Sequence, residues 1–228
     1  MIGTQLKIAL LSALAAALSP AAAWAANEDF QTWNVLNLST EIAKNVPVTL
    51  ELSGRMVDDS GRLGVVIVRP AIGYKFSDAV TVFLGYAHQK TINDGRADVD
   101  ENRIFQQVNW RIGKVGTATL ASRTRLEQRW VSGARDLGWR FRERVQLLIP
   151  LKAKSTQFVI SSELLFALNT TDWGARAGFD QARNFVGVNF PLSKTISAET
   201  GYQNRYQERR GQADRMDHII PITLNVRF

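Results

Sequence analysis

Arginine on alternate residues is the feature of this sequence that most narrows its possible folds. The stretches SRTRLEQRW (122–130) and GWRFRERVQL (138–147) interleave charged side chains with residues that include Trp, Phe, Leu and Val. Because successive side chains of a β-strand point to opposite sides, each stretch predicts a strand with a cationic face and a more apolar face. A soluble sheet has to cover its apolar face with a second layer, whereas a membrane barrel turns that face to lipid and its polar face to a closed lumen.

The same period-two pattern recurs along the rest of the chain. Segments of similar length alternate in polarity and are separated by turn-forming residues, and amphipathic helix periodicity is missing from them. We therefore predict eleven strands, at residues 30–42, 47–57, 63–76, 80–91, 102–112, 117–131, 138–150, 156–169, 179–191, 196–208 and 217–228.

The predicted connections alternate between two kinds. Short ones, such as GKVG (113–116) and LSKT (192–195), alternate with mostly longer and more polar ones, such as TINDGRADVDEN (91–102) and QERRGQADRMD (207–217). Short turns at one end and longer polar loops at the other are typical of outer-membrane barrels. We predict an all-β fold, a transmembrane antiparallel up-and-down β-barrel of 10–12 strands. A soluble β-sandwich or a lipocalin-like barrel is the alternative.

The N-terminal residues have the pattern of an export signal. Lys7 is followed by the apolar run IALLSALAAALS (8–19), and Ala23 and Ala25 form an A-x-A cleavage site. This arrangement predicts a signal peptide at residues 1–25 and a barrel domain at residues 26–228. Together with the barrel, it predicts the outer membrane of a Gram-negative bacterium. The chain has no cysteine, so export without disulfides is expected.

An odd number of segments leaves a question of topology. Bacterial single-chain barrels usually have an even number of strands, with both termini at the short-turn end. With eleven segments, the first one starts at the opposite end. Three solutions are open: segment 30–42 is not a full strand, it contains a further strand, or the N-terminus passes through the lumen.

Three side chains do not fit the alternation. Glu143 falls on the apolar face of its strand, where a bulge or a place near the outer rim would accommodate it. Val159 and Leu165 fall on the otherwise polar face of segment 156–169.

The formal net charge of +7 does not predict nucleic-acid binding. The cationic residues alternate with acids along strands and form no basic arm. The acidic loop NDGRADVDEN (93–102) lacks the ligand register of a calcium loop, so we predict no metal site. No motif predicts a cofactor.

Several stretches together resemble the domain-of-unknown-function 2490 family (DUF2490). They are TWNVLNLS, RPAIGYKFSD, VFLGYAHQ, SRTRLEQRW, WRFRERVQL, SSELLFAL, FDQARNFVGVNFPLS, ETGYQNRY and LNVRF. The order of the R-x-R-x-E-x-R row, the R-x-R-x-R row, Glu163 and FDQAR is the most specific part. The resemblance covers nearly the whole chain after the signal and implies an outer-membrane barrel with no assigned activity. The charged residues on the matching stretches are Arg123, Arg125, Glu127, Arg129, Arg140, Arg142, Arg144, Glu163 and Arg183.

Two functions are compatible with these charged positions. Adjacent antiparallel strands would bring the two arginine rows together on one wall, with Glu163 on the next strand. Arg and Glu on neighbouring strands form charge-assisted pairs, and a barrel of this size is narrow enough to be filled by its own side chains. The network either fills and stiffens the lumen or forms a cationic constriction that favours small anionic solutes.

An outer-membrane enzyme of the lipid-A-modifying, lipase or protease type is the alternative function. The only imidazole bases are His88 and His218. Asp217 and His218 are strand neighbours that point to opposite sides, and Ser193 and Ser197 lie near short turns, so we predict no catalytic residue. A soluble periplasmic β-barrel binding protein is the second alternative.

The expected partners follow from the barrel fold. The chain ends in Phe228, and a terminal aromatic residue is the expected signal for the barrel-assembly machinery, to which periplasmic chaperones would deliver the chain. Arginines in the longer loops predict contact with outer-membrane lipids and lipopolysaccharide. We predict a monomer.

Overall fold

The computed structural model describes residues 27–151, 155–209 and 211–228, and the regular elements of this part of the chain are β-strands. The predicted signal peptide, residues 1–25, lies outside the described residues. The strands are β1 (Asn27–Ala43), β2 (Val46–Val57), β3 (Arg62–Lys75), β4 (Val80–Thr91), β5 (Val99–Val115), β6 (Ala118–Val131), β7 (Gly138–Pro150), β8 (Gln157–Ala167), β9 (Gly178–Pro191), β10 (Ile196–Gln207) and β11 (Arg215–Arg227). In these residues we find no helix with the length and apolar character needed to cross a membrane.

The sheet closes into a barrel in which every strand pairs with its neighbours in sequence and β1 pairs with β11. The prediction of 10–12 strands in a barrel is therefore confirmed, with eleven. The closing pair is parallel, with Asn27–Ser39 of β1 beside Arg215–Arg227 of β11, and all other pairs are antiparallel. The closing pair differs from the predicted antiparallel pairing because, when direction alternates, the first and last strands of an odd set run the same way.

Strand β1 also answers most of the question of topology. It is a full strand of 17 residues, so the first segment is neither incomplete nor divided into two strands. Its start, Asn27, lies at the end of the barrel where the backbone N–H of Asn27 donates to Asp214 O at 2.7 Å. The remaining possibility, an N-terminus inside the lumen, concerns residues outside the described ones.

The two ends of the barrel differ, as the sequence predicts. One end, here the turn rim, carries the connections at residues 44–45, 76–79, 116–117, 151–156 and 192–195. The other end, here the loop rim, carries the connections at residues 58–61, 92–98, 132–137, 168–177 and 208–214. The first strand therefore starts at the loop rim, and the last strand ends at the turn rim.

Side chains alternate between the lumen and the outer wall. Large apolar residues such as Leu52, Ile72, Leu84 and Ile222 are exposed on the outer wall, and no second layer covers them within the described chain. In a water-soluble protein, a second layer would have to cover such an apolar surface. In a membrane, lipid covers it directly. The shortest strand has 11 residues, enough for the roughly 9–11 that a tilted strand needs to cross a bilayer.

Aromatic residues mark both rims of the outer wall. Tyr74, Phe76 and Trp110 are exposed next to short turns, and Trp130 and Trp139 are exposed next to a longer loop. Trp and Tyr collect where lipid meets water, so these positions fit the two interfaces of a membrane.

The three exceptions to the alternation have different explanations. Val159 and Leu165 do point into the lumen, where they are buried as apolar filling. Glu143 lies on the outer wall near the middle of β7, and the pairing of β6 with β7 is regular. Both predicted explanations for Glu143, a bulge and a rim position, are therefore wrong.

Candidate functional site

The two arginine rows lie side by side on the lumen face of β6 and β7. Glu127 of β6 is directly opposite Arg140 of β7. On β8, Glu163 is opposite Arg144 of β7 on one side and opposite Arg183 of β9 on the other. Period-two alternation thus brings the predicted charged residues onto one wall of the lumen. Contact of these residues with a solute is still a prediction.

Glu127 holds the two rows together. Its Oε2 accepts hydrogen bonds from Nε and Nη2 of Arg140 at 2.8 and 2.6 Å, and its Oε1 accepts one from Nη1 of Arg142 at 2.8 Å. Nη1 of Arg125 lies 3.5 Å from the same Oε1. Glu127 is only 1% exposed, so these charges are removed from bulk water. Charge-assisted bonds of this kind are stronger than neutral ones.

Glu163 extends the network toward the turn rim. Nη2 of Arg142 donates to both carboxylate oxygens at 2.8 and 3.0 Å, and Nη2 of Arg123 donates at 2.7 Å. Nη1 of Arg183 forms a longer ion pair of 3.6 Å with Glu163. Arg142 therefore links Glu127 to Glu163. We refer to the five buried residues at the centre as the charged partition: Arg125, Glu127, Arg140, Arg142 and Glu163.

The charged partition lies between two cavities. The turn-end cavity, about 700 Å³, is lined by Arg142 and Glu163 among others. The loop-end cavity, about 470 Å³, is lined by Arg140. The two have no lining residue in common, and Glu127 lines neither of them. The partition thus separates the lining of one cavity from that of the other.

A second acidic centre near the loop rim was not predicted. Both oxygens of Glu101 accept from Nε and Nη2 of Arg103, at 2.8 and 2.9 Å, and from the same two atoms of Arg129, at 2.5 and 3.2 Å. Of these residues, only Arg129 belongs to the predicted site. The segment DENR (100–103) places Glu101 and Arg103 two residues apart. That spacing puts both on the same face of a strand, and it was the signal that could have identified them.

The seam between β1 and β11 carries another unpredicted cluster. The Asp217 carboxylate is fully buried and accepts from Nε of Arg205 and Nε of Arg215 at 2.5 and 2.6 Å. Nη2 of Arg215 also donates to Asp29 of β1 at 2.6 Å. The buried carboxylate of Asp217 and the half-buried one of Asp29 share the guanidinium of Arg215 across the seam, which gives the parallel pair side-chain contacts in addition to its backbone bonds.

Trp33 lies at the centre of a group of arginines. The guanidinium carbon of Arg55 is 3.7 Å from the centroid of the Trp33 ring, and those of Arg183 and Arg205 are 5.4 and 5.5 Å away. A cation over an indole face is attracted by the ring. Among the described residues, Nε of Arg55 has no hydrogen-bond partner. The Trp33 ring therefore attracts the nearby guanidinium groups in the place where a carboxylate would usually compensate their charge.

Arg144 is the least compensated of the predicted site residues. It is directly opposite Arg123 on β6, and both line the turn-end cavity. Like charges at directly opposite positions repel each other. Arg123 is bonded to Glu163, but among the described residues Arg144 has no hydrogen bond or ion pair. A guanidinium with free donors thus faces the turn-end cavity.

At the loop rim, the loops at residues 132–137 and 168–177 are joined by reciprocal hydrogen bonds. The Asp172 carboxylate accepts the backbone N–H groups of Arg135 and Asp136 at 3.0 and 3.2 Å, and the Asp136 carboxylate accepts the N–H of Asp172 at 2.7 Å. Nε1 of Trp173 donates to the backbone O of Asp136 at 2.9 Å. These bonds hold Trp173 beside the loop-end cavity.

The joined loops have a defined dependence on pH. Hydrogen bonds from the backbone amides of Arg135 and Asp136 lower the pKa of the Asp172 carboxyl from its ordinary value of 3.8. Because the pKa is lower in the folded state, the contribution of Asp172 is present above about pH 4 and is lost as the pH falls through the folded pKa.

Replacing Asp172 with Asn should loosen the joined loops, because an amide has one acceptor oxygen and no charge. We expect faster trypsin cleavage after Arg135, whose side chain is 94% exposed, measured by mass spectrometry of the refolded protein. Asp94→Asn in the loop at residues 92–98 is the matched control and should leave the rate at Arg135 unchanged. Equal rates in all three proteins would contradict a role for Asp172 in joining the loops.

The two histidines lie on the outer wall near the loop rim, away from the lumen network. Nδ1 of His218 is 2.6 Å from the Tyr202 hydroxyl, and Nδ1 of His88 is 3.0 Å from Oδ1 of Asn102. Within the described residues, neither histidine bonds to a serine. Asp217 points into the lumen, opposite to His218, as the sequence predicts. The same part of the chain contains no cluster of three or more residues suited to a metal ion.

The closed barrel, the apolar outer wall and the charged lumen define an outer-membrane-type β-barrel. The sequence matches the family "Protein of unknown function (DUF2490)" over residues 30–217. The chain therefore belongs to the DUF2490 family, and the predicted resemblance is confirmed.

Other known proteins are similar to this chain in sequence or in fold. An uncharacterized protein of Methylorubrum extorquens is 37% identical over 204 residues, which cover 88% of this chain and 89% of that protein. The solved structure of the NanC porin is similar in fold, with a TM-score of 0.55 and 11% identity over 88% of this chain and 99% of NanC. OmpT of Vibrio cholerae, an outer-membrane protein, matches with a TM-score of 0.40 and 11% identity over 76% of this chain and 60% of OmpT.

Proposed function

We propose that this protein is an outer-membrane barrel whose lumen binds small anions in the turn-end cavity and passes them across the charged partition when its ion pairs part. The single observation that carries the proposal is the free guanidinium of Arg144 beside Arg123 in that cavity. An anion that accepts from both guanidinium groups would relieve their mutual repulsion.

The composition of the turn-end cavity supports the proposal. Eight arginines and three glutamates line it, so the cationic groups outnumber the acids there. In a narrow lumen with low-dielectric walls, an excess of one sign of charge attracts the opposite ion and excludes the same ion. The fold neighbour NanC is described as a porin, and a channel function for this chain would agree with that description.

A structural role for the network is the second candidate, and a specific observation favours it. The charged partition lies between the two cavities, with Glu127 bonded to Arg140 on one side and Arg142 on the other. A lumen filled in this way would make the barrel rigid and would conduct no ions.

Planar-bilayer recording of the refolded protein distinguishes the two candidates. An anion-favouring channel gives discrete conductance steps and, in a salt gradient, a reversal potential of the sign that anion flow produces. A structural barrel gives no steps above the lipid background. Steps with a reversal potential of the cationic sign would contradict the anion proposal, even though they would prove the lumen open.

Localisation and orientation are part of the proposal. The predicted signal peptide and the apolar outer wall support export to the outer membrane of a Gram-negative bacterium, with the turn rim in the periplasm and the loop rim outside. There, loop arginines such as Arg135 would meet anionic lipopolysaccharide. A soluble periplasmic binding barrel would instead fractionate with the periplasmic extract.

Single cysteines test this orientation against a background free of native thiols. Asp94→Cys at the loop rim should react in intact cells with a maleimide whose polyethylene glycol chain is too large for porins. Asp78→Cys at the turn rim should react only after the outer membrane is opened, because it would face the periplasm. The reverse pattern would show the opposite orientation, and reaction of neither variant in intact cells would contradict a surface-exposed loop rim.

Assembly by the barrel-assembly machinery, after delivery by periplasmic chaperones, predicts a role for the last residue. The Phe228 side chain is 78% exposed at the turn rim, while its backbone N–H donates to Ser39 O at 3.0 Å. Because the exposed ring packs little against the folded barrel, deleting Phe228 should lower the yield of assembled protein more than the free energy of unfolding. We expect less heat-modifiable folded protein in cells but nearly unchanged urea unfolding after refolding. Folded protein at the wild-type level in cells would contradict this recognition role.

A further inference from the structure

The outer wall of β6 to β10 carries a row of polar side chains at the depth where lipid would be purely hydrocarbon. We refer to it as the polar belt, and it consists of Ser122, Thr124, Glu143, Ser162, Asn184 and Asn204. Four of these residues, Thr124, Glu143, Ser162 and Asn184, lie at or next to the midpoint of their strands. The belt is therefore far from both rims, where water could solvate it.

Glu143 is the most polar residue of the belt. The Ser122 hydroxyl on the neighbouring strand donates to one of its carboxylate oxygens, and the Thr124 hydroxyl donates to the other at 2.5 Å. These two bonds leave other lone pairs of the carboxylate unused, since an ionised carboxylate has about four acceptor sites. Polar side chains on the lipid-facing wall of a barrel are destabilising, and most so at the midplane of the bilayer.

Ser162 continues the belt on the next strand. It is 5% exposed, and its Oγ has no hydrogen-bond partner among the described residues; because this oxygen is itself buried, the groups of the belt that a second protein could reach are those of its neighbours. Asn184 lies directly opposite it on β9, and Nδ2 of Asn184 donates to Oδ1 of Asn204 at 3.1 Å. The belt thus contains amide and hydroxyl donors as well as a carboxylate acceptor.

The wall formed by β2, β3 and β4 shows what an ordinary lipid-facing surface of this barrel looks like. At comparable depth it presents Leu52, Val68, Ile72 and Leu84, all exposed. These residues need no partner other than acyl chains. The two walls of one barrel therefore differ in their chemistry, and the β6–β10 wall would gain more from contact with a polar surface than the wall of β2, β3 and β4.

Hydrocarbon offers no hydrogen bonds, so within the membrane only another protein surface can supply them to the belt. Because the belt has both donors and acceptors, it is complementary to itself. A two-fold axis normal to the membrane places the same patch of two subunits face to face, so that each donor can meet an acceptor.

We propose that the polar belt is the contact surface of a homodimer, in which it faces the belt of a second copy of this chain. The proposal is independent of the anion proposal, because it concerns the outer wall and not the lumen. If it is correct, the expectation of a monomer is wrong.

Cysteine cross-linking in native outer membranes tests the proposal. Leu164 lies on the outer wall opposite Glu143, so Leu164→Cys should give a product of twice the chain mass with a short bifunctional maleimide. Leu84→Cys on the β4 wall is the matched control and should give at least several-fold less. Equal yields at both positions, or no product at Leu164, would overturn the proposal, and a product of another mass would assign the belt to a different protein.

A second measurement separates a specific contact from crowding. Glu143→Leu makes the belt centre apolar, which removes the carboxylate contact from both subunits of a symmetric dimer. Interhelical side-chain hydrogen bonds in membranes are worth a factor of about three each, so the dimer-to-monomer ratio in mild detergent should fall roughly eightfold. Glu143→Gln keeps the acceptor oxygen and should retain most of the dimer. An unchanged ratio in Glu143→Leu would contradict the role of the belt, and heat modifiability checks that each variant folds.

Discussion

Replacing Glu127 with Gln should lower the free energy of unfolding more than any other single change in the lumen. Glu127 accepts from two guanidinium groups at 2.6–2.8 Å and is almost completely buried. Its neutral analogue leaves Arg140 and Arg142 as buried charges with too little compensation. Removing one partner of a buried ion pair costs about 3–5 kcal/mol, which is a large part of the stability of a single domain.

The measurement is urea unfolding of the refolded protein in lipid vesicles, followed by tryptophan fluorescence. Glu199→Gln is the matched control, because Glu199 also faces the turn-end cavity but has one hydrogen bond of 3.5 Å, from Asn189. We expect a change of less than about 1 kcal/mol for the control. An equally small change in Glu127→Gln would mean that water reaches the partition and solvates its charges.

A double variant shows whether the loss comes from uncompensated charge or from poor packing. If Arg140 is left without its acceptor in Glu127→Gln, the second change Arg140→Gln removes the surplus charge. The double variant should then be more stable than the sum of the two single changes predicts, because residues of one network are not additive. Additive losses would instead point to independent packing effects at the two positions.

The fold was largely predictable because one physical rule, the alternation of side chains along a strand, applies to the whole chain. It gave the strands, the cationic lumen and the position of Arg123 and Arg144 on one wall. The strand bounds differ by a few residues; β5, for example, is longer at both ends than segment 102–112. The residue at which a strand ends depends on contacts with the adjoining loop, and the alternation of polar and apolar residues does not predict those contacts.

The closing pair could not be predicted from local pattern. It joins the first and last strands, so its direction follows from the odd number of strands in the whole barrel, and neither strand by itself indicates it. The ion pair of Arg215 with Asp29 of β1 forms only when that seam is closed. The alternation along a single strand places these residues in the lumen, but it does not identify their partners on other strands.

Glu143 shows a different limit of prediction. The alternation correctly places it on the outer wall, but it cannot tell that Ser122 and Thr124 are within bonding distance on the next strand. The exception therefore looked like an irregularity of the strand, while the structure contains a regular strand with a polar outer wall. The error came from assuming that the entire outer wall meets lipid.

The second prediction with a large effect concerns ion selectivity. Replacing Arg144 with Gln removes a positive charge that no ion pair compensates in the turn-end cavity, and the rest of the network keeps its partners. At about 8 Å and an effective dielectric constant of about 40, one charge changes the energy of a passing ion by about 1 kcal/mol. It favours an anion and disfavours a cation by roughly fivefold each, which is roughly thirtyfold in the anion-to-cation permeability ratio.

Bilayer recordings in a salt gradient measure this ratio through the reversal potential. For Arg144→Gln we expect the anion-to-cation permeability ratio to fall roughly thirtyfold at low ionic strength, and by less at high salt, because salt screens the charge. Arg135→Gln is the matched control, since it removes an arginine that is almost fully exposed at the loop rim. An unchanged ratio in Arg144→Gln would place the selectivity elsewhere in the lumen. A fall of similar size in Arg135→Gln would show that the selectivity comes from the overall charge of the protein. A local field in the cavity would instead respond to the removal of Arg144 and not of Arg135.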